Sequence, residues 1–570
     1  MLESEQRAQT SRRSWRWKIS RDKLPNLALL LLAAAIAGYK FSEVYVSKSF
    51  GWDSAAFLED GAVYAGYRSY QQAYDPTRPP FLPVVFSLMF RITGPAAIDG
   101  YVVSGILYFI SMVGAYLLGR KIMSSPLALF AAVSYGVAPM VVEWSGIAYS
   151  NVEGTAIAAL GLAALVYAVD EQSYSTKRKL LLFAVAFLLL VIAPLTRYTM
   201  GAILFSALAF ILTSKRAKEI LKSRYVFPGI ALAILIGFLV MEKWTSAAIL
   251  HGYTLGSLFP TPTQPNPFPS PLGHSFFLVN FPTELGVGAY GEILAIAFAL
   301  SLCYFLLAFT LYVRRRYRSK PVDLSDHDLS VLEASAGTSS GVNGAVGQPS
   351  SSPTTRNALL IALLLWFGLL FLYYSLLWPY YDPRYSIEFI MPVMLVAFFG
   401  IDRVVSRLLD FAVGSKTISA RARMRSRSRL RPLLVALCIA TVMLLVSALV
   451  LLEIGSAVLV YQTTPVVDIQ LSQGIREAAT WVRENVPASD HIEGDWYTFL
   501  WWYLPQYSVS EAPSSYQLQT NAQYAAWMNQ ISANQISYVV YSNPSSIVIP
   551  SNFQLVYTSP TYGVAVFRVT

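Results

Sequence analysis

Apolar runs of about twenty residues recur along most of the chain, and they decide what it can fold into. A helix crossing the hydrocarbon of a bilayer needs about 20 mostly apolar residues. Inside lipid each backbone N–H and C=O must be satisfied within the protein, which restricts spanning segments to helices or closed barrels. Runs of this length fit helices. They fall at 24–40, 98–118, 125–142, 149–169, 180–196, 199–213, 225–242, 289–313, 358–377, 385–402 and 432–452, which predicts about eleven spans. Only 13% of the residues are charged, against about 25% in a soluble domain. The stretch "PLTRYT" at 194–199 separates two of the runs. If 180–213 were one helix, Arg197 would sit mid-membrane, at about 2.5–3.5 kcal/mol on insertion scales.

The basic residues gather in clusters: the arm at 1–23, Arg120-Lys121, Lys177 to Lys179, and the groups at 214–224, 314–320 and 421–431. With the N-terminus in the cytoplasm and an odd number of spans, all of them fall on the cytoplasmic side. The net charge of +10 then marks topology and contact with anionic lipid, and no nucleic-acid partner is expected. The chain is expected to be a multi-pass protein of the plasma membrane. Its N-terminal run has basic flanks and no small-residue cleavage site, so it is expected to stay as a signal anchor. Cys303 and Cys438 lie in separate apolar runs, and no disulfide is expected.

This topology divides the chain into a cytoplasmic arm at 1–23, a transmembrane unit at 24–452 and an extracytoplasmic unit at 453–570. Within the transmembrane unit lie an outer loop at 41–97, a Pro-rich outer loop at 243–288 and a Ser/Gly/Pro-rich cytoplasmic loop at 319–356, expected to be disordered. The C-terminal unit differs in character. Ile475, Ala479 and Val482 share one face at helical spacing, and "ISYVVYS", "FQLVYTS" and "YGVAVFRV" have the length and turn-flanked pattern of strands. A small α/β domain is expected.

The outer side holds the chemistry-bearing residues. No phosphate-cradling glycine loop, zinc-type histidine spacing or G-x-S-x-G elbow is present. What remains is a set of carboxylates and arginines: Asp53, Glu59, Asp60, Asp75, Glu143 and Glu153 with Arg68, Arg78, Arg197 and Arg384. An enzyme working outside the cytoplasm must draw an activated substrate from the membrane. Transfer of a sugar from a lipid phosphate suits this set. A carboxylate takes the proton of the acceptor hydroxyl. Arginine forks, or a divalent cation held by carboxylates, stabilise the departing phosphate; the sequence names no ligand set for a cation. A single displacement inverts the anomeric centre, by analogy with inverting glycosidases.

Four stretches carry a family resemblance: "WDSAAFLEDGAVYA" with Asp53, "YDPTRPPFLPVVFSLMFRITG" with Arg78, "AYSNVEGTAIAALGLAALVYA" with Glu153, and "YYDPRYSIEFIMP" with Arg384 and Tyr385. In this order they resemble the C-type polytopic glycosyltransferases, in the branch of the protein O-mannosyltransferases and the lipid A aminoarabinose transferases. The resemblance implies a GT-C-like helical membrane fold, a polyprenyl-phosphate sugar donor, and a protein, lipid or glycan acceptor. It implies Asp53 as base, Arg384 with Arg197 or Arg78 on the donor phosphate, and Glu153, Asp60 and Tyr385 around donor and acceptor. Where many relatives carry Asp-Glu in the first loop, this chain has Asp53-Ser54; Asp60 or Glu59 is a candidate substitute. Simpler roles stay open: Glu153 paired with Arg197, Arg384 with Asp382, and the aromatic run at 495–507 as a domain core or seat instead of a sugar platform. A lipid-linked saccharide flippase and a non-catalytic scaffold with an outer binding domain are the alternative functions.

Overall fold

The computed structural model describes residues 24–47, 51–69, 75, 78–171, 173–214, 216–218, 235, 272–318, 352–378, 381–413, 448, 451, 455, 467–513, 518 and 520–570. The helical part begins with α1 (Leu24–Ser47), α2 (Trp52–Ala65), α3 (Phe81–Thr93) and α4 (Ala97–Ile122). It continues through α5 (Ser125–Val137), α6 (Pro139–Trp144), α7 (Ser150–Asp170), α8 (Thr176–Thr196) and α9 (Ala202–Thr213). Then come α10 (Phe276–Leu285), α11 (Ala289–Arg318), α12 (Pro353–Leu372) and α13 (Ile387–Val413).

Among the described residues seven segments are long and apolar enough to cross a membrane, formed by α1, α4, α7, α8, α11, α12 and α13 with their flanking turns. The expected eleven is corrected on two counts. The runs at 125–142 and 199–213 yield α5, of 13 residues, and α9, of 12. At 1.5 Å per residue these cover no more than about 20 Å. Pro139 ends the first of them, because Ala138 before it takes an extended ψ of 135°. The runs at 225–242 and 432–452 lie outside the described residues, apart from isolated positions. The break expected at 194–199 is present: α8 stops at Thr196, and Tyr198–Gly201 form a 3₁₀ turn before α9.

The most enclosed span is α7, while α1 and α11 present most of their surface outward. Small residues allow this packing. A Cβ on Gly114 of α4 would stand 2.9 Å from Ala159 Cβ of α7, and one on Gly154 would stand 3.1 Å from Arg197 Cβ. On one face of the bundle Lys121 is fully buried, its Nζ 3.0 Å from Asp170 and 2.6 Å from Glu171.

The other face carries the C-terminal domain: α14 (Val467–Asn485), β1 (His491–Gly494), α15 (Tyr497–Tyr503), β2 (Ser508–Glu511), α16 (Asn521–Ala533), β3 (Ile536–Tyr541), β4 (Phe553–Thr558) and β5 (Ala565–Val569). The five-stranded sheet has the order β2-β1-β3-β5-β4. β1 runs parallel to both β2 and β3, while β5 is antiparallel to β3 and β4. The expected helix and three strands are α14, β3, β4 and β5. Ile475, Ala479 and Val482 of α14 are buried as their spacing required.

One apolar core joins the domain to the bundle. Val44, Ala55, Tyr101 and Tyr149 pack in the same cluster as Ile475, Val482, Phe499 and Leu500. At its centre Trp52 is met edge-on by Trp496 and Tyr497, at 5.1 and 5.2 Å between ring centroids, and by Phe499 at 6.5 Å. The aromatic run at 495–507 is therefore the domain's seat on α2. Phe499 is fully buried. Phe499→Ala should cost about 3–5 kcal/mol, as large core truncations do, and should speed release of the C-terminal domain under limited proteolysis. Unchanged release would show that the junction holds without this ring.

Candidate active site

Helix α2 begins at Gly51, whose N–H donates to Ser54 Oγ at 3.3 Å, and ends at Gly66, which takes a left-handed φ of +88°. That conformation favours glycine and closes the helix with backbone bonds to Ala62 and Val63. Ser54 Oγ also donates to the Ile147 carbonyl. The loop it meets is unusual. Ala148 has a φ of +59°, uncommon for a residue with a Cβ, and its N–H donates to Ser104 Oγ at 3.0 Å. Ser54 thus ties the loop to the start of α2, where Asp53 sits, and Ser104 ties it to α4.

All three acids of α2 are buried, Glu59 and Asp60 almost completely. Asp53 receives two arginines from distant parts of the chain, with Arg78 Nη1 at 2.7 Å and Arg384 Nη1 at 3.4 Å. Each arginine has an acid of its own: Arg78 Nε is 2.9 Å from Asp75, and Arg384 Nε is 2.9 Å from Asp382. The charges alternate along the row Asp75, Arg78, Asp53, Arg384, Asp382. Asp382 also caps the turn at Pro383–Ser386, accepting from the Arg384 N–H at 2.9 Å. The Arg384 guanidinium lies 5.3–5.6 Å from the ring centres of Trp144, Tyr149 and Tyr385, a set of faces that suits a cation. Burial would raise the Asp53 carboxyl, but Arg78, Arg384 and Arg197 hold it below its ordinary value.

Asp60 and Glu59 are held differently. Asp60 Oδ1 accepts from the Asp75 N–H at 2.8 Å. Burial, joined by the charge of Asp75, pushes the Asp60 carboxyl well above the usual range. Burial pushes Glu59 up to about 7 against the pull of Arg68, 3.4 Å away.

Arg197 turns to another acid. Its Nε pairs with Glu388 and its Nη1 donates to Ser150 Oγ at 3.1 Å. Glu388 is fully buried and also accepts from Asn151 at 3.1 Å and Thr199 at 2.6 Å. Tyr385 is buried between the systems, its ring 5.5 Å from the Arg197 guanidinium. Glu153 is also fully buried, and its carboxylate faces Ser104 while Arg197 is engaged by Glu388. The arrangement thus brings Asp53, Arg78 and Arg384 into direct contact, with Tyr385 alongside. It sets Arg197 in an adjoining network and Glu153 and Asp60 to either side.

Two buried acids were missed in the sequence. Glu388 stands inside an apolar run, and a charged residue there is a functional candidate by default. Glu284 of α10 is 2% exposed. Burial pushes it up to about 8, aided by the charge of Asp382. The carboxylates do not fit a cation site. Among the described residues no three His, Cys, Asp or Glu side chains converge, and Asp53 and Asp75 already share Arg78.

The raised carboxyl of Glu59 carries a pH signature. The folded protein holds this proton more tightly than the unfolded chain, whose glutamates titrate near about 4.3. The stabilisation is complete below that value and is lost as pH rises through about 7. Glu59→Gln should flatten the fall in melting temperature between about pH 4 and 7. An unchanged slope would assign that loss to other groups.

Residues 77–244 match the family described as dolichyl-phosphate-mannose-protein mannosyltransferase. No curated protein sequence matches the chain. Among solved structures, ArnT from Cupriavidus metallidurans in the apo state aligns with a TM-score of 0.55 at 12% identity, over 95% of this chain and 98% of that one. The same enzyme bound to undecaprenyl phosphate aligns with a TM-score of 0.52 at 12% identity, over 94% and 97%. The oligosaccharyltransferase of Archaeoglobus fulgidus in the apo form aligns with a TM-score of 0.51 at 14% identity, over 91% of this chain and 70% of that one. Residues 77–244 are thus similar in sequence to that mannosyltransferase family, and the chain is similar in fold to ArnT over nearly its whole length.

Proposed function

We propose that this enzyme transfers a sugar from a polyprenyl-phosphate carrier to a hydroxyl acceptor on the extracytoplasmic side of the membrane, with inversion at the anomeric carbon. The observation that carries this reading is the position of Asp53, gripped by Arg78 and Arg384 where the C-terminal domain meets the bundle. The chemistry follows from the groups. The donor is a phosphodiester with one negative charge, and Arg384 with Arg78 binds it through guanidinium forks. Asp53 takes the proton of the acceptor hydroxyl. The acceptor oxygen bonds to the anomeric carbon as the bond from that carbon to the phosphate oxygen breaks. Polyprenyl phosphate leaves with a second negative charge, which the arginines stabilise. Arg197 and Tyr385 hold the turn that presents Arg384, and Glu153 and Asp60 shape the walls.

The family match and the undecaprenyl phosphate named with the ArnT structure support a lipid-phosphate donor. The orientation is supported by Lys121 and the basic start of α8, which lie on the face opposite the C-terminal domain. That domain is therefore assigned to the outside of the plasma membrane and the N-terminus to the cytoplasm. Impermeant thiol labelling in cells should modify a cysteine placed near position 520 and miss one near 340. Labelling of both on one side would reverse the assignment.

The mechanism is tested by single-turnover transfer of radiolabelled sugar, with donor affinity measured beside it. Asp53→Asn should slow transfer by about 10²-fold or more, the scale of a lost general base, while donor binding survives. Arg384→Ala should weaken donor binding itself, with Arg384→Lys rescuing in part, because an ammonium cannot make the two-point grip. Near-normal transfer by a folded Asp53→Asn protein would remove Asp53 from the reaction.

A further inference from the structure

A cavity of about 210 Å³ opens where α1, α4 and the C-terminal domain meet. Tyr45 from the last turn of α1, Ile98 and Tyr101 from the start of α4, Arg476 of α14, and Trp502 and Tyr503 of α15 line it. It shares no residue with the arginine cluster around Asp53.

Two of its side chains lack what their chemistry requires. Tyr101 is 3% exposed, and its hydroxyl finds no hydrogen-bond partner among the described residues. Buried polar groups are nearly always paired, so an orphaned hydroxyl on a cavity wall points to a ligand. Arg476 is half-buried and makes no ion pair among the described residues. Its sequence neighbour Glu477 is turned to Ser559 and Thr561. Arg476 lies close enough to the hydroxyls of both Tyr101 and Tyr503 to act on them electrostatically. A guanidinium among aromatic rings, with a buried hydroxyl beside it, is a site for an oxyanion.

Place and size identify its carrier. The cavity lies at the ends of two apolar spans, the level at which tyrosine and tryptophan meet lipid headgroups. It is smaller than the roughly 300–1,000 Å³ that encloses a drug-sized ligand, so the larger part of the occupant must lie outside. The adjoining flank is apolar and exposed, with Val46 at 79%, Ile106 at 54% and Ile98 at 40%. Acyl chains satisfy that flank, whereas a free anion leaves it uncovered.

We propose that this cavity binds the headgroup of an anionic phospholipid from the leaflet on the domain face. Arg476 grips the phosphate, Tyr101 donates to it, and the acyl chains run along α1 and α4. The bound lipid also ties the domain to the bundle. Trp502, which walls the cavity, packs on its other side against Phe90 of α3 at 6.3 Å and against the cluster holding Phe57 and Leu58 of α2.

The test uses the purified full chain in nanodiscs of phosphatidylcholine with a minor share of phosphatidylglycerol, and native mass spectrometry to count lipid retained on release. The wild type should keep one phosphatidylglycerol. Arg476→Gln should lose it, Arg476→Lys should keep it weakly, and Tyr101→Phe should weaken it several-fold. Ile98→Trp fills the mouth while leaving Arg476 in place, and should lose the lipid too, so the result does not hang on one variant's folding. Wild-type retention by both Arg476→Gln and Ile98→Trp would overturn the proposal. So would displacement by soluble glycerol phosphate as readily as by lipid, which would mark a free-anion site. Replacement of phosphatidylglycerol one for one by undecaprenyl phosphate would also overturn it and assign the cavity to an isoprenoid. None of these readouts requires sugar transfer.

Discussion

A carboxylate held out of water between two guanidinium groups sets the terms for the surrounding structure. An ion taken from water into a protein interior carries a penalty of several kcal/mol, offset only by close counter-charges and hydrogen bonds. Asp53 obtains these from Arg78 and Arg384, which reach it from separate loops, and each arginine is steadied in turn by Asp75 or Asp382. The row works only if three chain segments stay in register. The backbone around it is built accordingly: Gly66 closes α2 in a left-handed turn, Ala148 accepts an uncommon φ, and Asp382 caps the turn that aims Arg384. Replacing one member leaves its neighbours buried and unpaired, so any substitution here reports on the pair as well as on the residue.

The helix that carries Asp53 works as a wedge. Its Trp52 side meets the aromatic ring of α15, its Phe57 and Leu58 side meets α3 and α4, and Asp53 faces the arginines. The C-terminal domain therefore covers α2 and gives the site one of its walls. Because that contact is aromatic and largely dry, a shift of the domain would move α2 and Asp53 together. The domain is a mechanical part of the site, and its Glu511 also feels the charge of Asp75 at the end of the charged row.

Much of this was legible in the sequence, because two of its signals are periodic and local. Apolar runs of span length located α1, α4, α7, α8, α11, α12 and α13, and the 3.6-residue spacing of Ile475, Ala479 and Val482 located α14. The residues around Asp53 stood out as acids and arginines in loops beside such runs. Length alone misled at 125–142 and 199–213, where a proline and a turn leave helices too short to span. Four-residue strands such as "HIEG" and "SVSE" are too short to show alternation, and β1 and β2 went unseen. Pairing was the least legible feature. Pairing of Glu153 with Arg197 is one of the readings that the sequence leaves open, yet Arg197 is taken by Glu388, 191 residues away. Sequence spacing carries no information on a contact of that range.

The pairing of Asp53 with arginines looks at first like a poor arrangement for a base, since it holds the carboxyl below its ordinary value. In the proposed reaction it is an exchange of charge within one cluster. While the acceptor hydroxyl keeps its proton, Asp53 is an anion, and Arg78 and Arg384 are divided between it and the donor phosphodiester. As the proton moves to Asp53, the carboxyl loses its charge and its claim on the arginines weakens. In the same step the departing phosphate gains a charge and its claim strengthens. The guanidinium groups pass from one oxyanion to the other with little movement. Interactions that grow only towards the transition state are the ones that accelerate a reaction. A base placed far from the phosphate-binding arginines would gain nothing from this exchange, and the depressed basicity of resting Asp53 is the counterpart of holding both functions on the same two side chains.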